Sequence, residues 1–168
     1  ADGVISALSD FAKLPIRQDR SLSLSELIAD LLKNLTVPDN IVVASPADGQ
    51  ELWAVGDFRQ LLVVLNNLVR NAVDAMPHGG QVTIGRHAAN GRVNVTVSDT
   101  GPGLAATELP RIFEPFYTTK VRGIGLGLAI SRAIVENHRG ELSVSSQPGK
   151  GCCFTVSLAI SPAPEAAT

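Results

Sequence analysis

LNNLVRNAVDAM, residues 65–76, lies at the centre of a longer apolar pattern. It carries three asparagines and an aspartate where a soluble helix surface would use Lys, Glu or Arg. Around it Phe58, Leu61, Leu62, Leu65, Leu68, Val69, Ala72, Val73 and Met76 recur at helical spacing and form a wide apolar stripe. Asp57 is placed to cap this helix, and Pro77 followed by HGG stops it. Asn and Asp compete for backbone hydrogen bonds and are mediocre helix formers, so their presence needs a reason. Asn67, Asn71 and Asp74 stand at i, i+4 and i+7, on one face beside the stripe. Such a column presents carbonyl acceptors and amide donors together. It can hold hydrated Mg²⁺ through oxygen while donating to phosphate. A solvated polar face satisfies the same spacing.

Upstream of this helix, Val4, Ile5, Leu8, Phe11, Ala12 and Leu14 recur at helical spacing until Pro15, and PIRQDRSLS reads as a linker. Ser23 with Glu26 forms a capping box for a helix bearing Leu24, Leu27, Ile28, Leu31, Leu32 and Leu35 on one face. IVVAS, residues 41–45, and ELWAV, residues 51–55, read as short strands on either side of the loop PADGQ. Downstream, QVTIGRH and RVNVTVSD are strands joined through Asn90-Gly91, a hairpin signal. Residues 100–123 are loop-rich, GLGLAISRAIVENHRG is a helix ending at Gly140, and ELSVSS and CCFTVSLAI close the chain as a hairpin. The tail SPAPEAAT is expected to be disordered. Strands flanked by helices, several with period-2 alternation, imply a two-layer α/β sandwich with helices on one sheet face and a more polar opposite face.

Composition narrows the function classes. The chain has 168 residues and 45% hydrophobic content, enough for one domain with a real core. Net charge is −2 with no Lys/Arg block, so no nucleic-acid footprint is seen. No apolar run approaches the roughly 18 residues of a membrane span, and the N-terminus lacks a signal-peptide pattern. Cys152 and Cys153 are adjacent and make neither a long-range staple nor a zinc site. A reduced, cytoplasmic compartment fits.

Two further segments carry chemistry. DTGPGL, residues 99–104, follows an apolar strand. Asp99 can accept a hydrogen bond from an exocyclic amine such as that of adenine, and Gly101 and Gly103 allow close backbone approach to a flat ligand. An ordinary Gly/Pro turn fits the same residues. GIGLGLAI, residues 123–130, leads directly into a helix. Its free N–H groups and the positive helix end suit phosphate, and Leu126 and Leu128 can anchor the turn in the core. It is not a Walker loop, because no GK[ST] follows. A glycine-rich hinge is the other reading.

Taken together, in this order and spacing, the segments resemble the GHKL ATPase superfamily, and within it the catalytic ATP-binding domain of sensor histidine kinases. NLVRNAVDA resembles the N box, DTGPG the first glycine box, IFEPFYTTK the F box and ATP lid, and GIGLGLAI the second glycine box. IVENHRGELSVSSQPGKGCCFTVSL is similar to the family's closing helix and hairpin. The resemblance spans residues 21–158 and is greatest to the nitrogen- and oxygen-responsive type of sensor kinase. It implies the Bergerat ATP-binding fold, a two-layer sandwich with a mixed, largely antiparallel sheet covered on one face by helices. It implies a catalytic domain at residues 21–160, preceded over 1–20 by the end of a dimerisation and phosphoacceptor helix and its linker, and followed by a tail over 161–168.

By the same resemblance Asn71 would coordinate Mg²⁺ with the ATP phosphates, Asn67 would assist, and Asp74 would stand beside them. Asp99 would bind the adenine amine, with Gly101 and Gly103 shaping its pocket. Gly123, Gly125 and Gly127, with Leu126 and Leu128, would form the phosphate loop. Phe113 and Phe116 would pack the lid base, and Thr119 and Lys120 would belong to the lid, Lys120 reaching the phosphates. Two departures stand out. Many members carry a basic residue where Asp74 stands; a carboxylate can order water around Mg²⁺ but cannot pair with phosphate. The final hairpin often carries Ser or Thr where Cys152 stands, which bears on the water network beside adenine.

The acceptor in this family is a His followed by an acidic residue on a helix. His78, His87 and His138 are followed by Gly79, Ala88 and Arg139, so all three are expected to be structural or exposed. The resemblance thus implies a module that binds Mg-ATP and phosphorylates a histidine on a separate domain, with a response regulator as indirect partner. Two alternatives remain. A chaperone- or topoisomerase-like ATPase would need a general base, usually Glu, where Asn67 stands. A non-catalytic nucleotide-binding module would need only the pocket.

Overall fold

Ser23 ends one short strand and Asp57 follows another, and each starts a helix by offering a side-chain oxygen to an orphan amide. The Ser23 hydroxyl accepts from the Glu26 N–H at 3.2 Å and opens α1 (Leu24–Asn34). The Asp57 carboxylate accepts from the Gln60 N–H at 3.2 Å and opens α2 (Phe58–Asp74). The structure, a computed structural model, describes residues 16–46, 49–115, 117 and 127–164. The expected helix over residues 4–14 lies outside them.

The helical periods hold. In α1, Leu24, Leu27, Ile28 and Leu31 are buried, while Leu32, at the margin of the stripe, is exposed. In α2 the buried apolar set is Leu61, Val64, Leu65, Leu68, Val69 and Ala72, with Gln60 buried beside it in the first turn. The stripe is therefore centred nearer Val64 than the sequence suggests, and Leu62 and Val73 are only partly buried. A third helix, α3 (Gly127–Asn137), buries Ser131, Ile134 and Val135. It stops short of the expected Gly140, because Arg139 turns to positive φ (57°).

The strands are β1 (Arg20–Ser23), β2 (Ile41–Ala44), β3 (Trp53–Gly56), β4 (Gly80–Ala89), β5 (Arg92–Asp99), β6 (Glu141–Ser146) and β7 (Cys152–Ala159). Five form one sheet in the order β2-β4-β5-β7-β6. Only the β2–β4 pair is parallel; the other three pairs are antiparallel, so the sheet is mixed and largely antiparallel. Asn90 and Gly91 both take positive φ (55° and 72°), as a two-residue hairpin of matching twist requires. Val82 and Ile84 of β4, Val93, Val95 and Val97 of β5, and Phe154, Val156 and Leu158 of β7 form the buried face beneath the helices. Each such side chain contributes roughly 1.5–3 kcal/mol by leaving water. The alternate positions, such as the cross-strand pair Thr96–Thr155, face the more polar side.

Two expectations are corrected. The segment read as a linker contains β1, which pairs antiparallel with β3 in a separate two-stranded ribbon. RSLS holds one apolar residue, Leu22, and so lacks the β-branched and apolar run by which the equally short β2 and β3 were read as strands. The tail is not disordered at its first residue: Ser161 is buried and its N–H donates to the Trp53 carbonyl at 2.9 Å.

His138 is structural, as expected. It is buried just beyond α3; its Nδ1 donates to the Ile134 carbonyl (2.8 Å) and its Nε2 accepts from the Asp57 N–H (3.0 Å). The end of α3 is thus fastened to the start of α2. The other Asp57 oxygen accepts from the Gln18 N–H at 2.7 Å, so the segment before β1 is tied to the same residue.

Candidate functional site

The polar face of α2 looks toward two other segments rather than only toward solvent. Asn67 Nδ2 lies 3.3 Å from Ser131 Oγ and 3.5 Å from the Gly127 carbonyl, so its amide donates into the first turns of α3. Together with the His138–Asp57 bond, this makes α2 and α3 antiparallel and fastened at both ends. Asn71 is half-buried and Asp74 exposed, one and two turns further along. At that end of α2, Gly101 lies against its last residues: a Cβ at Gly101 would come within 3.3 Å of the Ala75 carbonyl and of Met76 Cγ. The Thr100 hydroxyl accepts from the Gln81 N–H (3.0 Å) and points at Met76 sulfur (3.5 Å). The asparagine helix, the Asp99 loop and the start of α3 therefore meet around the second half of α2.

Asp99 ends β5 and is only 8% exposed. Its Oδ1 accepts two amides, Gly101 N–H at 2.9 Å and Cys152 N–H at 3.2 Å. A carboxylate held by one oxygen keeps the other as an acceptor of fixed direction, and Oδ2 makes no hydrogen bond among the described residues. Gly103 has φ of 73° and its α-carbon faces the Gln147 carbonyl so closely that no side chain fits. Gly151, φ 74°, stands in the same relation to the Asp99 carbonyl. The loop after Asp99 is thus pressed onto the β6–β7 turn, and the Gly149 N–H donates to the Pro102 carbonyl at 2.6 Å.

Beyond the Asp99 loop, the Phe113 ring meets Phe154 edge-on, with centroids 6.3 Å apart, and the Arg132 guanidinium lies 5.2 Å from the Phe113 centroid. Phe113 is therefore anchored between β7 and α3. Gly127 opens α3, and Leu128 packs against the core as expected of it. Phe116, Thr119, Lys120, Gly123, Gly125 and Leu126 lie outside the described residues.

A carboxylate acceptor, a column of amides and the positive end of a helix suit a nucleotide, which brings an amine, phosphates and a cation. Among the described residues no three His, Cys, Asp or Glu side chains gather as a metal cage. A divalent ion here would take its oxygens from Asn71, phosphate and water, a set that fits Mg²⁺. Burial pushes the Cys152 thiol up, so it stays protonated and donates to Ser146 Oγ at 3.2 Å. The Cys152 contact to Asp99 uses its backbone amide, so the departure from Ser or Thr at this position leaves that bond intact.

Sequence reasoning missed Ser131, Thr100, Ser146 and Gly151. Ser131 carried a signal, a small polar residue on the buried face of an apolar helix. Gly151 carried another, a second glycine two residues after Gly149 in a tight turn. Thr100 and Ser146 carried none, because each joins a loop to another segment, Thr100 reaching Gln81 and Met76 and Ser146 reaching Leu104 as well as the turn at Gly151 and Cys152.

The chain matches the model of the family described as histidine kinase-, DNA gyrase B- and HSP90-like ATPase over residues 56–162. It is 40% identical over 140 residues to sporulation kinase A of Bacillus subtilis (strain 168), covering 82% of this chain and 23% of that protein. It is similar to the nucleotide-free catalytic domain of histidine kinase ThkA, at TM-score 0.72 and 29% identity, over 84% of this chain and 95% of that one. It is also similar to full-length ShkA in complex with AMPPNP, at TM-score 0.82 and 28% identity, over 98% of this chain and 37% of that one. The chain thus spans about a quarter of the sporulation kinase it matches. No helix among the described residues is long and apolar enough to cross a membrane. The family match and the three-segment site around α2 lead to one conclusion: the chain belongs to the histidine kinase-, DNA gyrase B- and HSP90-like ATPase family and carries the catalytic ATPase domain of histidine kinases.

Proposed function

We propose that this domain binds Mg-ATP and passes the γ-phosphoryl group to a histidine on a separate dimerisation and histidine-phosphotransfer domain of the same kinase. The observation that carries the reading is the convergence of the Asn67–Asn71–Asp74 face, the Asp99 loop and the start of α3 on one half of α2. Asp99 Oδ2 accepts from the adenine amine, and Gly101 and Gly103 let the backbone lie along the base. Asn71 and water-ordering Asp74 hold the Mg²⁺ end of the triphosphate. Asn67 positions α3, whose N-terminus with Gly123, Gly125, Leu126, Gly127 and Leu128 cradles phosphate. Phe113 and Phe116 support the lid that carries Thr119 and Lys120. Bound Mg²⁺ would supply charge neutralisation on the phosphates. The remaining catalysis is positioning, because phosphoryl transfer asks little covalent chemistry of the protein.

Two observations favour transfer over hydrolysis and over self-modification. Asn67, an amide donating to α3, cannot take a proton from water as a general base would. Both ring nitrogens of His138 are engaged in the fold, so it offers no free nucleophile. The domain is assigned to the cytoplasm, with a response regulator as the indirect partner, and to the nitrogen- and oxygen-responsive type. The test is incubation with labelled ATP, alone and with a helical domain bearing a His-Glu or His-Asp motif. Acid-labile, base-stable label should appear only on the added domain. Label on this chain alone, or on neither, refutes the reading.

A further inference from the structure

Ser146, the last residue of β6, uses every hydrogen-bonding capacity of its hydroxyl. The single proton goes to the Gly151 carbonyl at 2.8 Å. The two lone pairs accept from the Leu104 N–H at 2.8 Å and from the Cys152 thiol at 3.2 Å. These partners belong to different segments. Leu104 lies in the loop that follows Asp99, whereas Gly151 ends the turn before β7 and Cys152 begins that strand, its amide donating to Asp99 Oδ1. The hydroxyl therefore joins the far end of the Asp99 loop to the very residues that orient the Asp99 carboxylate. Gly103 pressed on the Gln147 carbonyl and Gly149 bonded to Pro102 hold the same two segments together without a side chain. Among the described residues Ser146 is the one side chain that links Leu104 with the Gly151–Cys152 pair.

We propose that Ser146 is a positioning residue for base recognition: through Gly151 and Cys152 it aims the outer oxygen of Asp99, and through Leu104 it sets the width of the slot into which a 6-aminopurine slides. This rests on the reading of Asp99 as the adenine acceptor. Ser146 touches no ligand in this account. Removing its hydroxyl frees the Leu104 amide and the Gly151 carbonyl, and the loop and the β7 start then move independently. The carboxylate loses direction, and discrimination between nucleotides with and without an amine at that edge falls.

The experiment measures binding of Mg-ATP and of Mg-inosine triphosphate, which has a 6-oxo group where adenine has the amine. Parent, Ser146→Ala, Ser146→Thr and Asp99→Asn are compared, with thermal melts confirming folding. In Ser146→Ala the preference for ATP should fall about five-fold or more, the loss of about one net hydrogen bond. That fall should come mainly from weaker ATP binding, and Ser146→Thr, which keeps the hydroxyl, should regain most of it. If both nucleotides weaken equally, the role is structural only and the proposal fails. If Ser146→Ala discriminates like the parent while Asp99→Asn does not, the proposal fails and the Asp99 reading stands. If Asp99→Asn also discriminates like the parent, the Asp99 reading itself fails. Should the alanine variant not fold, Ser146→Cys, of similar shape but weaker in both donation and acceptance, must fall below the parent in discrimination.

Discussion

Asp99→Asn separates what Asp99 does for the fold from what it does for the ligand. One oxygen serves the fold: Oδ1 accepts the Gly101 amide at 2.9 Å and the Cys152 amide at 3.2 Å. An asparagine meets those two donors only with its own oxygen, because the reverse orientation sets N–H against N–H. Its NH₂ group must then replace Oδ2 and point into the slot. The amine of adenine, which needs an acceptor, meets a donor. A hydrogen bond to a charged group contributes about 1.5–3 kcal/mol, so Mg-ATP affinity should fall about 10- to 150-fold. Stability should change far less, since both backbone bonds persist in neutral form; a loss of about 1 kcal/mol would lower the melting temperature by roughly 2–4 °C. Inosine triphosphate, which offers an oxygen at that edge, should lose little or gain. Isothermal titration with both nucleotides, beside a thermal melt of the free protein, reads all three quantities. Equal affinity for Mg-ATP in parent and variant, with both folded, refutes the assignment of Oδ2 to the base.

Three further outcomes follow from the geometry. Gly103→Ala should lower stability by at least about 1–2 kcal/mol in urea unfolding, because φ of 73° is strained for any L side chain and the new methyl meets the Gln147 carbonyl; a neutral result would mean the loop and turn are not in contact. His138→Leu leaves the Asp57 N–H and the Ile134 carbonyl without the ring nitrogens, at a cost of about 1–3 kcal/mol, whereas His138→Gln can supply an acceptor and should recover part of it; equal losses in denaturant titration would show that volume, not hydrogen bonding, matters there. Hydrogen bonds from Ser23, first, and Ser25 hold the Glu51 carboxyl below its ordinary value of 4.5. A lowered carboxyl stabilises fully above that ordinary value and loses its contribution as pH falls through the lowered one. The effect is small for so exposed a group, and Glu51→Gln should flatten melting temperature against pH below about 4.5; an unchanged acid limb contradicts the bond.

Much was legible because it is periodic or local. The α2 stripe, the alternation of Val93, Val95 and Val97, the Asn90-Gly91 hairpin and the caps at Ser23 and Asp57 all rest on a segment's own repeat or on residues three apart. The placing of Asn67, Asn71 and Asp74 on one helix, and of Gly101 and Gly103 in the loop after β5, was equally plain, since each motif is contiguous or lies on one helix. The pairing of β1 with β3 was not, because RSLS carries a single apolar residue and its partner lies some thirty residues further along the chain. Nor was the parallel register of β2 on β4. The same limit governs the site. That Asn67 donates to Ser131, that His138 caps onto Asp57, and that Ser146 and Cys152 hold the Asp99 loop are contacts across 42 to 81 residues of chain. A side-chain pattern encodes which face of a segment leaves water, and so this sequence by itself determined most of the elements and their buried faces. Which of the polar residues are used to hold the scaffold was decided only by the packed tertiary structure, because a hydrogen bond chooses its partner by position in space and that position is set by the burial of all the elements at once.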